Sequence, residues 1–247
     1  MNGKLACLLV AVSALWGVRA GALAVAARTD ETKSKSLDAD PNLAGRWTFD
    51  DGAGQSVPDT SKHGRNGTLK GGLSAEKDLV PGRLGKALKL DGDDDYVEIG
   101  KYKGVTGTRP RTIAAWIKTA ESKGEITSWG AEDYGQMWIF CFIRGRAGVT
   151  PNGGYLYMNE QTSDDEWHHV AAVVEQAELP NLHDNVTLYR DGKLAEIHDI
   201  GLLDLWPVET GAVLDVRIGQ GFKGLIDDVR IYDRALSDDE IALLFKR

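Results

Sequence analysis

One acid in this chain stands where an acid is expensive. In Leu225-Ile226-Asp227-Asp228-Val229-Arg230-Ile231-Tyr232 the residues alternate as a strand with one buried face requires. The alternation sets Leu225, Val229 and Ile231 on one face, with Asp227 among them, and Ile226, Asp228, Arg230 and Tyr232 on the other. An ionised carboxylate facing a core is costly unless a cation or several hydrogen-bond donors meet it. Calcium has suitable chemistry, since it takes six to eight oxygens from carboxylates, carbonyls and water. Asp50 and Asp59 could converge on Asp227 if the first and last strands are neighbours, and Asn66 or Gly67 could add carbonyl oxygens. The competing reading is local: Asp50 and Asp59 are turn residues, and backbone N–H groups satisfy Asp227.

A second chemistry is the stacking of sugar faces on flat rings. Trp129, Tyr134, Tyr155, Tyr157 and Trp206 lie in or near loops, or on strands with polar neighbours, and are the candidate ligand-binding residues. Trp47, Trp116 and Trp167 sit in strand-like segments and are assigned to packing. Other constellations fall short. Asp91-Gly92-Asp93-Asp94-Asp95 has Tyr96 and Tyr102 where an EF-hand needs Gly and Glu, and reads as a tight acidic hairpin turn. His168 and His169 are adjacent on a strand, so they point to opposite faces and cannot chelate one metal.

These residues need elements to hold them. Many short strand-like runs separated by turn signals, few helical periods and 29 glycines indicate an all-β sandwich. Asp191-Gly192 between two alternating runs is a hairpin signal. Ser237 and Glu240 form a capping box that opens a short C-terminal helix carrying Ile241, Leu244 and Phe245. Lys4, the apolar run from Leu5 to Val18 and small residues through Ala26 read as a secretory signal peptide over residues 1–26. That run is too short to span a membrane, which takes about 20 apolar residues. Its removal takes Cys7 and leaves Cys141 alone, so no intramolecular disulfide forms. Residues 27–42 have almost no large apolar side chains and read as a flexible leader, with the domain covering 43–247. A net charge of −8 argues against nucleic acid or an anionic membrane as partner.

Laid out in order, four blocks resemble those of LamG-like (concanavalin A-like, laminin G) jelly-roll domains. They are Trp47-Thr48-Phe49-Asp50-Asp51-Gly52 with Asp59-Thr60-Ser61 and Gly64-Arg65-Asn66-Gly67; Gly85-Lys86-Ala87-Leu88-Lys89-Leu90-Asp91-Gly92; Trp167-His168-His169-Val170-Ala171 with Leu188-Tyr189-Arg190-Asp191-Gly192; and Gly224 to Ile241. Residues 176–185 form a longer insertion than the simplest family pattern. The resemblance implies two antiparallel sheets packed as a jelly roll, in an exported protein that is secreted, periplasmic or at the cell surface. It also implies binding of carbohydrate or extracellular protein, often with a structural calcium where the terminal segments meet. The family has no single catalytic activity. Laminarinase-like enzymes of this fold carry an E-x-D-x-x-E strand motif, which is absent here; Glu196-Ile197-His198-Asp199 comes nearest. The expected function is therefore non-catalytic recognition. The alternatives are an assembly domain of the cell envelope, or a polysaccharide hydrolase with an unrecognised carboxylate pair.

Overall fold

The structure, a computed structural model, describes residues 36–198 and 206–247. The expected signal segment lies outside the described residues. Two antiparallel sheets form a jelly-roll sandwich. The first runs β14 (Lys193–Leu194), β13 (Val186–Arg190), β12 (His168–Val174), β7 (Arg111–Lys118), β17 (Lys223–Tyr232), β5 (Lys86–Asp91) and β4 (Leu79–Pro81), with β1 (Leu43–Trp47) also paired to β17. The second runs β15 (Ile197–His198), β11 (Leu156–Met158), β10 (Arg146–Thr150), β9 (Met137–Ile143), β8 (Glu125–Gly130), β16 (Leu214–Ile218), β6 (Tyr96–Ile99), β3 (Gly67–Lys70) and β2 (Ser56–Val57).

Alternating side chains of both sheets fill the space between them, among them Trp47, Leu69, Ile113, Phe140 and Val216. A second apolar layer covers the outer face of the first sheet. There Ala114, Ala171, Val173 and Tyr232 pack under Leu37, Leu236 and the residues Ile241, Leu243 and Leu244 of the terminal helix. That helix spans Asp238–Phe245 and opens on the expected capping box: Glu240 N–H donates to Ser237 Oγ, and Ser237 N–H donates to the Glu240 carboxylate. The Asp191-Gly192 turn has φ of 52° and 73°, the pair of positive values a type I′ hairpin requires. The 176–185 insertion contains a short helix, Leu182–Asn185, whose N-cap Asn181 side chain accepts from Asp184 N–H.

Three expectations are corrected. The leader does not stay loose as far as residue 42. Leu37 is buried, Asp38 pairs with Arg230 at 2.7 Å, and Asp40 pairs with Arg234 at 2.6 Å. One apolar side chain and two carboxylates suffice, because β17 and the terminal helix offer a ready surface. The acidic run 91–95 is not a hairpin turn, since β5 and β6 belong to different sheets; it is the corner between them.

The third correction concerns β17. Its register against β7 shifts between Asp227 and Arg230, and Asp228 takes a φ of 44°. This is a β-bulge, one extra residue that resets the alternation. Ile226 therefore joins Val229 and Ile231 in the inter-sheet core. Asp227 lies opposite Trp116 on the outer face, and Asp228 follows it onto the same side. Asp228 is buried there between two arginines, accepting from Arg46 Nε at 2.7 Å and from Arg230 Nη2 at 2.9 Å.

Candidate functional site

The first sheet's outer face is covered by the helix. The second sheet's outer face carries a groove of about 370 Å³. Strand β9 explains its floor. The strand is apolar throughout, yet alternation sends Trp138, Phe140 and Phe142 into the core, while Met137, Ile139 and Cys141 face out. Glu125, Ser128, Glu132, Asn152, Asp215 and Arg217 are among the residues that line it. Burial raises the Glu125 carboxyl, opposed by hydrogen bonding with Ser128 and by the Arg217 charge. Burial acts likewise on Asp215, but Lys103 at 2.7 Å and the Lys101 N–H overrule it and lower its pKa. Arg217 donates to Gln220 Oε1 at 2.9 Å and lies over the Tyr96 ring. Cys141 is opposite Glu125, and burial pushes its thiol up to about 12, which disfavours the thiolate at neutral pH.

At the rim stands a pair of exposed aromatic rings. Tyr134 is 63% exposed and Trp206 44%, and their centroids lie 5.5 Å apart at 14° in a stacked arrangement. Backbone hydrogen bonds lock the loops that carry them. Gly135 N–H donates to Asn152 O, Glu209 N–H to Gly135 O, and Gly211 N–H to Gln136 O. Trp206 lies against Gly153, where φ is 144° and where a methyl group would run into the indole. The stack is thus built on fixed backbone.

The other aromatic candidates are placed differently. Trp129 is 0% exposed; its Nε1 donates to Val105 O at 3.1 Å, and its ring packs against Trp138 in the core. Tyr157 is also fully buried, stacked on Tyr155 at 5.9 Å and on His198 at 5.0 Å. Both are corrected to packing roles, because neither ring has a free face. Tyr155 is half-buried beside Tyr157. Glu125, Asp215 and Arg217 were not singled out from sequence, since the groove joins strands far apart in the chain.

The acid set divides too. Asp227 Oδ2 accepts from Leu84 N–H at 2.8 Å, and Asp50 Oδ1 accepts from Lys86 N–H at 2.9 Å, so these two carboxylates meet one loop two residues apart. Asp227 is fully buried, and its Oδ1 accepts no hydrogen bond among the described residues. Burial first, and the neighbouring Asp228 charge second, push its pKa up to about 7. Asp59 does not join them. Its oxygens accept from the N–H groups of Arg46, Ser61 and Arg65 and from Ser61 Oγ, at 2.8 to 2.9 Å. Four protein donors make it an organiser of the 59–65 turn, so the three-acid set is corrected to a pair. An orphaned buried carboxylate oxygen has the donor chemistry of a hard cation's ligand, and Asp50 reaches the same loop; Asp59 does not fit. Among the described residues, three acids do gather their oxygens within 4.8 Å: Asp91, Asp94 and Asp95, two exposed and one buried.

The two-sheet architecture recurs in solved structures. Domain 4 of AbnA, a GH43 extracellular arabinanase from Geobacillus stearothermophilus, in complex with arabinotriose, superposes with a TM-score of 0.59 at 19% identity, over 81% of this chain and 97% of that one. The binding domain of Paraclostridial Mosquitocidal Protein 1 gives 0.53 at 17% identity, over 83% of this chain and 52% of that one. The binding domain of botulinum neurotoxin serotype G gives 0.54 at 16%, over 83% and 51%. This chain therefore spans about half of each toxin domain. At these identities the likeness is one of fold. No curated protein matches the chain. The Laminin_G_3 family model matches residues 91–242, more than half of the sequence, and with the sandwich just described this places the chain in the concanavalin A-like lectin/glucanases superfamily.

Proposed function

We propose that this protein is an exported, non-catalytic recognition module that binds a saccharide chain on the outer face of the second sheet. The observation that carries the reading is the exposed Tyr134–Trp206 stack, whose loops also carry the groove residues Glu132 and Asn152. Sugar rings present C–H-rich faces to flat aromatic rings, and here the two rings already stack on one another. The groove beside the stack supplies hydroxyl, amide and charged partners. The arabinotriose held by the similar arabinanase domain is consistent with such a use of the fold. Of the groove's three carboxyls, Glu125, Glu132 and Asp215, the last is occupied by Lys103 and the Lys101 N–H, which does not favour hydrolysis. Calorimetric titration against a panel of plant and microbial oligosaccharides tests the reading. At least one class should bind, and Tyr134→Ala should weaken it about tenfold, as loss of one aromatic stack implies. Silence across the panel, with capture of envelope proteins, would favour assembly; release of reducing sugar would favour the hydrolase. Export predicts that the mature protein begins between Gly21 and Arg28, as mass spectrometry of the secreted form would read.

A structural calcium at Asp227 and Asp50 forms the second part of the proposal. Its support is the buried, unpartnered Asp227 Oδ1. A bound calcium would require Asp227 ionised, whereas burial alone favours the proton. Calcium should therefore raise the melting temperature more at pH 8 than at pH 5. Equal response at both values, or none, would remove the ion from the account.

A further inference from the structure

We propose that the aromatic platform selects saccharides by charge, taking amino-bearing chains in preference to neutral ones and rejecting acidic ones. This inference rests on the saccharide-binding reading and names the ligand class for the same site. Three segments build the platform: residues 130–136, which carry Tyr134; residues 150–154, against which Trp206 lies; and residues 206–213. Together they contain Glu132, Asp133 and Glu209, and neither lysine nor arginine. All three acids are exposed. Their placement around the stack follows from the backbone. Glu132 and Asp133 immediately precede Tyr134, Asp133 Oδ1 accepts from Tyr134 N–H at 2.8 Å, and Glu209 N–H donates to Gly135 O at 3.0 Å.

None of the cations of the adjoining groove belongs to the segments that build the platform. Arg217 is held by Gln220, and Lys103 by Asp215 and the Val213 carbonyl. Arg111 reaches the same region, but its guanidinium is buried and donates to Val105 O, Gly107 O, Arg109 O and Thr210 Oγ1. A ligand on the Tyr134 face therefore approaches loops that carry three exposed acids, on a chain of net charge −8. An ammonium group there gains attraction from the acids and from the ring quadrupoles together. A uronate or sulfate meets repulsion from the same three acids.

The experiment titrates three matched oligomers into the full mature chain at about pH 6 and low salt: glucosamine, N-acetylglucosamine and galacturonate chains of equal length. The amino oligomer should bind about tenfold more tightly than its acetylated counterpart, a gap that three exposed charge pairs can supply. The acidic oligomer should bind most weakly. Raising the salt to about 0.5 M should close the gap, because these charges are exposed. Replacing the acids by Glu132→Gln, Asp133→Asn and Glu209→Gln, which preserves the hydrogen-bond acceptor to Tyr134, should bring the amino and acetylated oligomers to the same affinity. Equal affinities in the native chain, or tightest binding by galacturonate, would overturn the inference while leaving saccharide recognition standing. Failure of all three oligomers, and of every member of the oligosaccharide panel, would overturn both.

Discussion

Asp227 and Asp228 are neighbours on one outer face, and they titrate in opposite directions. Burial raises Asp227 to about 7, while for Asp228 the Arg230 and Arg46 charges overrule burial and hold it at about 2. For Asp228 the folded pKa is depressed, so its stabilisation is present above the unfolded value of about 3.8 and is lost as pH falls towards 2. For Asp227 the folded pKa is raised. Its stabilisation is present below about 3.8 and is lost as pH rises to 7, at about 1.4 kcal/mol per pH unit over that window. In calcium-free protein Asp227→Asn should therefore flatten the decline in melting temperature between pH 5 and 7. Asp228→Ala should be the damaging change, costing about 3–5 kcal/mol, because it leaves Arg230 buried without the more deeply buried of its two carboxylate partners. Urea unfolding of both variants checks this. A mild Asp228→Ala would contradict the bulge.

The elements readable from sequence were those set by local chemistry. The Asp191-Gly192 turn and the Ser237–Glu240 capping box need only residues a few positions apart. The β17 bulge was not readable, because beside Arg230 of its own strand it is met by Arg46 of β1 and by the Leu84 backbone, both more than a hundred residues away in the chain. The same holds for Trp129, whose loop-like neighbours hide a core ring. Tyr134 and Trp206 were picked out as aromatics in polar company. Their stacking was beyond reach, since it joins residues 72 positions apart through loop contacts. The loop at Gly153 belongs to this scale. Gly153→Ala adds a methyl against Trp206 at a φ that disfavours side chains, so it should disrupt the stack. Saccharide affinity should fall as far as in Tyr134→Ala, read by calorimetry, with far-ultraviolet dichroism unchanged.

At the scale of the whole molecule the two sheets have divided their outer faces. The first is sealed by the terminal helix, by Leu37 and by the ion network of Asp38, Arg46, Asp228, Arg230 and Arg247. The second keeps its groove and aromatic rim. No helix among the described residues is long and apolar enough to cross a membrane. The central claim is that the open face binds saccharide at the Tyr134–Trp206 stack. It is tested most directly by the indole N–H signals of the tryptophans in a two-dimensional NMR titration with a binding oligosaccharide, Trp206 being assigned through Trp206→Phe. The Trp206 signal should move with saturation. That of Trp47, whose indole donates to Arg65 O in the interior, should stay in place. A saturable titration that leaves the Trp206 signal unmoved would contradict the account.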